Sequence, residues 1–216
     1  MKDNNAFHTN TIDITTIPFL KDYGEVKKRL SIRLNNKARL LATRPRVVYE
    51  PFLDFAVTCH IEVGDLVGSA ATCVVEKWLM EYIGVGQERL FADAKENGAK
   101  TRPGVIMPIE SYIGWLGFLD EEPKSGLMIA TTEDCKYGAG VVLYTGFLDQ
   151  ISCGKNIFLI PSSIHEWLYF EDRGEYSKDE LVNLHLRVIR EAMFEEETLS
   201  EAVYYYDWRQ REMRRA

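Results

Sequence analysis

The sequence predicts an α+β domain, a single antiparallel sheet of about five strands with helices packed against it. Three observations predict this. Leu53, Phe55, Val57, Cys59, Ile61 and Val63 alternate with Asp54, Ala56, Thr58, His60 and Glu62, a period of two with one apolar and one mostly polar face. The strand-like runs fall in neighbouring pairs, as hairpins do, and not in the alternation with helices that parallel βαβ units require. Helical stripes precede, separate and follow them, the best marked opening at the capping pair Ser177 and Glu180. At 216 residues the chain is sized for about one domain. That domain is placed at residues 21–208, between a poorly ordered lead-in (1–20) and a basic tail (209–216).

In chain order, the lead-in is polar, rich in Asn and Thr, and ends at Pro18. Leu30, Leu34, Ala38 and Leu41 then form one stripe at spacings of four, four and three, which predicts a helix over about 22–41, closed by Pro45. The long strand 53–63 follows, ended by Gly64 and Asp65, its polar face wet or lightly covered. Ser69 and Gly84 bracket a predicted helix over 69–83, with Val74, Val75, Trp78, Leu79 and Tyr82 on its apolar face. A shorter helix runs from about 87 to 96 and stops at Asn97-Gly98. Residues 99–126 carry Pro103, Pro108 and Pro123 and read as loop, with a helical turn near 110–116. Residues 127–132 and 139–144 form a predicted hairpin, and 146–151 a helical turn or two. A second strand pair, 157–160 and 164–170, flanks Pro161-Ser162-Ser163. The last helix starts at Ser177 and carries Leu181, Leu184, Val188 and Ala192 on one face.

The first twenty residues hold no signal-peptide core, and no window reaches the roughly eighteen apolar residues of a membrane span. A soluble, cytoplasmic protein without membrane contact is expected. Cys59, Cys73, Cys135 and Cys153 stand 14, 62 and 18 apart, unlike a CxxC or zinc pattern, and read as free, mostly buried thiols. No metal and no cofactor is expected. The block PSSIHE (161–166) sets Ser162, Ser163, His165 and Glu166 close together, the raw materials of a hydrolase. Strand alternation divides them, sending His165 to the face of Trp167 and Tyr169, and Glu166 to that of Ile164, Leu168 and Phe170. No GxSxG elbow exposes a serine, and Tyr169 stands where HExxH needs a second histidine. The plainer reading is that the serines turn the chain and His165 bonds locally. A Glu166 turned to the core needs a partner or a raised pKa, and an arginine of the basic helix is one candidate for that partner.

Cys59 and His60 are adjacent but alternate to opposite faces. Asp54, His60 and Glu62 share a face, yet lie too far apart along a strand to close on one metal ion. No P-loop or GxGxxG occurs. The formal net charge of −7 argues against a general polyanion binder. That average hides segregation. Between Lys27 and Arg46 stand eight basic residues and no acid, with Arg29, Arg33 and Lys37 four apart, a like-charge ladder if helical. Either an anionic partner faces this ladder or internal acids do, and residues 166–207 supply twelve acids against four basics.

The run FLIPSSIHEWLYFEDRGEYSKDEL (158–181), followed by TLSEAVYYYD (198–207), closely resembles a bacterial family of unknown function, number 5688. FLDFAVTCHIEV (52–63) and GAGVVLYTGFLDQI (138–151) are similar to its other recurring blocks. The resemblance spans about residues 22–207. It implies a gut-type Gram-positive origin, often beside mobile-element genes, and longer members with an N-terminal lobe ahead of the basic helix. It implies no established activity and brings no catalytic or binding residues. The leading expectation is therefore a non-enzymatic binding or regulatory module, with a protein or other partner met by the basic stretch or by the aromatic segment Tyr204–Trp208. Two alternatives stand beside it. One is a hydrolase using Ser162 or Ser163, His165 and Glu166; the other is nucleic-acid binding through residues 27–46.

Overall fold

The computed structural model describes residues 14–66, 69–115, 126–192 and 194–216. Mixed helix and strand content bears out the α+β class, but the strands form two antiparallel sheets, of four and six strands, and not one sheet of about five. In the first, β3 (Phe55–Leu66) is central. It pairs β1 (Leu30–Asn36) on one side, and β2 (Tyr49–Phe52) then β4 (Ser69–Val74) along the other. The second comprises β5 (Gly104–Pro108), β6 (Met128–Thr132), β7 (Ile157–Ile160), β8 (Trp167–Glu171), β9 (Tyr204–Asp207) and β10 (Glu212–Arg215), in the order β10-β9-β7-β8-β6-β5. The helices are α1 (Tyr23–Lys27), α2 (Lys37–Thr43), α3 (Lys77–Tyr82), α4 (Gln87–Thr101), α5 (Ile109–Trp115), α6 (Phe147–Ser152) and α7 (Lys178–Ala192).

One core joins the sheets. Phe55 from the first sheet meets Trp167 edge-on at 5.7 Å and Tyr204 at 5.1 Å, both from the second, and those two rings stand 5.5 Å apart at 81°. The Tyr204 hydroxyl donates to Asp54, in the turn between β2 and β3, and Ser200 Oγ donates to the same carboxylate at 3.0 Å. On the far face of the second sheet a smaller cluster, Phe158, Ile160, Leu181 and Val203, seats α7. Its start is the expected capping box, with Ser177 N–H on Glu180 Oε2 at 2.8 Å and Glu180 N–H on Ser177 Oγ at 3.3 Å.

Several elements differ from expectation. The stretch 22–41 is not one helix: Leu30, Ile32 and Leu34 are buried in alternation on β1. A spacing of four fits both periods, and Ile32 decides for two. The stretch 69–83 splits into β4 and α3, since the β-branched Thr72, Val74 and Val75 favour extended chain. Trp78 and Tyr82 are accordingly exposed. Residues 99–115 hold β5 and α5. The two prolines lie at the ends of an edge strand, where a missing donor is tolerated, and residues 116–125 lie outside the described set, as do 1–13. The second arm of the expected 127–144 hairpin is a 3-10 turn, Gly138–Leu143. Helix α4 runs through Gly98, where a Cβ would stand 2.8 Å from the Tyr144 hydroxyl. Leu20 is fully buried, the basic tail forms β10, and Cys59 is the one buried thiol of the four.

Candidate functional site

PSSIHE forms the tight turn between β7 and β8. Ser163 Oγ donates to Glu166 Oε1 at 2.9 Å and accepts from the His165 backbone N–H at 2.9 Å. The His165 ring faces elsewhere. Its Nδ1 accepts from the Tyr137 backbone N–H at 3.0 Å, and its Nε2 lies 3.5 Å from Glu197 Oε1. Among the described residues no serine hydroxyl is hydrogen-bonded to an imidazole; Ser163 meets the Glu166 carboxylate instead, so the Ser–His pair of a hydrolase is not assembled. His165 and Glu166 lie in the turn before β8 and not on a strand, and their side chains take different partners. Glu166 is buried, but its partners are Ser163 and Tyr112 and not an arginine. Burial, and then the Glu166 charge, push the Tyr112 hydroxyl up to about 12.

The basic stretch is broken by β1, so Arg29, Arg33 and Lys37 do not form a helical ladder. Lys37 leaves the other two, opening α2 with its ammonium 5.8 Å over Tyr49. Among the described residues internal pairing comes from α4 and α1 and not from the acids of 166–207: Lys27 reaches Asp93 at 2.8 Å and Glu96 at 3.3 Å, and Lys28 reaches Glu25 at 2.5 Å. Arg29 and Arg33 point to the polar face of the first sheet. Among the described residues neither has a carboxylate within 4.0 Å. Instead the Arg29 guanidinium lies 4.5 Å over Phe19 and that of Arg33 lies 3.6 Å over Tyr137. Arg33 Nη2 donates to Thr72 Oγ1 at 2.7 Å, and burial pulls its ionisation down from the ordinary arginine value.

Strand register assembles the rest of this face. Arg33 stands opposite Thr58, Ser31 opposite His60, and His60 opposite Val74, so Ser31, Arg33, Asn35, Thr58, His60 and Thr72 project together. Asn35 Nδ2 donates to Thr58 Oγ1 at 2.9 Å, and Thr58 Oγ1 lies 3.0 Å from His60 Nε2. Nε2 of His60 is thus engaged with the Thr58 hydroxyl, which leaves Nδ1 as the open nitrogen of the ring. Three buried side-chain polar atoms have no partner among the described residues: Arg29 Nε, Arg33 Nε and His60 Nδ1. All three sit on this one face, and the two arginine Nε atoms are N–H donors. Outside the two arginines runs a groove of about 540 Å³, lined also by Lys28, Arg102 and Lys136 and by the carboxylates Glu62 and Asp134. Asp134 is occupied by Arg102 at 2.6 Å.

Tyr137 is what patterning misses. Its backbone is left-handed, φ 53°, a conformation costing a non-glycine residue roughly 1–2 kcal/mol. His165 holds its N–H, and its ring supports Arg33. The distance in sequence hides this contact. The polar face itself is legible as the alternation of Ser31, Arg33 and Asn35 with Leu30, Ile32 and Leu34.

The site has a pH signature. Burial, aided by Arg33 and Arg44, holds the His60 imidazole well below its usual range, and burial also lowers His185, whose Nε2 is 2.9 Å from the Ser200 carbonyl oxygen. The unfolded chain therefore takes up protons below about pH 6.5 that the folded chain refuses. Stability is whole above that pH and falls as the pH drops, by up to about 1.4 kcal/mol per unit from His60, with His185 adding over a narrower range. Urea midpoints measured from about pH 7.5 down to about 5 will show this decline, and a midpoint independent of pH would contradict a neutral buried His60.

Residues 4–208 match the model of a family of unknown function (DUF5688), and the chain belongs to that family. No curated protein and no solved structure matches. Among the described residues no helix is long and apolar enough to cross a membrane.

Proposed function

We propose that this member of the family is a non-enzymatic binding module for a small phosphate-bearing ligand seated against Arg29 and Arg33. One observation carries the reading: the unpartnered buried side-chain nitrogens of the described residues gather on a single sheet face, two of them on arginines that have no carboxylate within 4.0 Å among the described residues. A buried donor left without an acceptor costs about 1–3 kcal/mol. A phosphate supplies several charged acceptor oxygens at once and suits the planar arginine fork. Glu62, across the strand pair from Arg29, limits how much negative charge the groove takes and favours a compact anion over a polyanion. The engagement of Ser163 by Glu166, and of the His165 ring by Tyr137, supports binding over hydrolysis.

Isothermal titration with inorganic pyrophosphate tests the reading. Binding is expected at about 50 mM salt and is expected to weaken at about 300 mM, because exposed cations are screened. Arg33→Ala is expected to weaken it about tenfold or more, the loss of a charge-assisted hydrogen bond. No heat of binding at the lower salt overturns the proposal.

A further inference from the structure

The polar face continues beyond Arg33. The Arg33–Tyr137 stack divides the groove from a chamber of about 600 Å³, and the two cavities share Arg33, Thr72 and Tyr137. Their chemistry differs. The groove is cationic, whereas the chamber adds the neutral polar side chains Asn35, Thr58 and His60 and the indole of Trp78. Its remaining charges, Arg44 and Glu76, are one of each sign. His60 is more than nine-tenths buried, and its Nδ1 has no partner among the described residues.

Resting on the phosphate reading above, we propose that the ligand is a free nucleotide, its phosphate in the groove at Arg29 and Arg33 and its base in the chamber, where the base edge hydrogen-bonds His60 Nδ1. A second anion does not suit the chamber, because His60 is held neutral there and carries no charge to answer one. A purely apolar group does not suit it either, since it would leave the buried His60 Nδ1 without a hydrogen-bond partner. A planar heterocycle meets both conditions. Its edge carries both donors and acceptors for His60, it can lie against Trp78, Tyr137 or the guanidinium plane of Arg33, and it fits a volume typical of small-molecule sites.

The test compares ligands on the full chain by isothermal titration: inorganic pyrophosphate, ribose 5-phosphate, the four common nucleoside 5′-monophosphates, and a 5′-phosphorylated RNA hexamer. At least one nucleotide is expected to bind about tenfold or more tighter than ribose 5-phosphate, the gain that base stacking supplies. His60→Gln is expected to narrow that gap, and the wild-type ligand series stands even if this variant does not fold. If pyrophosphate binds while all four nucleotides match ribose 5-phosphate, the nucleotide assignment fails and the phosphate reading survives. If neither pyrophosphate nor any nucleotide binds, the phosphate reading fails and this inference with it. Equal or weaker binding of the hexamer supports a free nucleotide. Binding of the hexamer about tenfold tighter than the best mononucleotide overturns it in favour of a strand end.

Discussion

Trp167→Ala is expected to destabilise the protein by about 3–5 kcal/mol, the range for removing a large buried aromatic side chain. Trp167 is fully buried, and its indole N–H donates to the Ala139 carbonyl oxygen at 2.7 Å. Its removal takes away the ring that Phe55 and Tyr204 both meet edge-on, so the contact between the two sheets opens at its centre. It also leaves the Ala139 carbonyl in a dry site without that donor. Urea denaturation followed by circular dichroism measures the loss. A change under about 1 kcal/mol would mean that the two sheets do not depend on this aromatic group for their union.

Gly138→Ala is the second large effect. A Cβ there would stand 2.3 Å from Thr131 Oγ1 and 2.6 Å from both the His165 carbonyl oxygen and the Thr132 nitrogen. Overpacking of this kind costs about 1–3 kcal/mol and occasionally more. Two of the three neighbours are backbone, which cannot swing aside, so the cost is expected at the top of that range. Gly104 makes the contrast: its Cβ would meet the Phe147 ring, which has torsional freedom to move. Gly138→Ala should therefore lower the urea midpoint more than Gly104→Ala, and the reverse order would contradict the packing described. Because Gly138 adjoins Tyr137, its substitution should also disturb the support of Arg33.

What the sequence discloses follows from periodicity, and what it hides follows from contacts between distant residues. The alternation of 53–63 locates β3 and its two faces; His165 and Glu166 do take different partners, but they lie in the turn before β8 and not on the strand expected over 164–170. The same reasoning stumbles where a spacing of four serves both helix and strand, as at Leu30 and Leu34. Counting strand-like runs also leaves open how many sheets they form, since pairing partners are set by register and not by composition. For the site, charge segregation marks Arg29 and Arg33, but a helical reading groups them with Lys37, which the turn into α2 carries away. Tyr137 carries no pattern at all. Its place depends on a left-handed backbone and on an N–H bond to a histidine 28 residues further along the chain.

Function turns on whether the polar face of the first sheet holds a phosphate through Arg29 and Arg33. The sharpest measurement compares pyrophosphate affinity in two double variants that lose the same charge. One is Arg29→Gln with Arg33→Gln, in the groove. The other is Arg209→Gln with Arg214→Gln, on exposed positions beside Trp208 and Tyr205. Thermal melts of both confirm that each is folded. The groove pair is expected to raise Kd about a hundredfold, the loss of two charge-assisted hydrogen bonds, while the distant pair changes it by less than about twofold. An equal rise in both would reduce the effect to net charge, and an unchanged Kd in the groove pair would place the phosphate elsewhere.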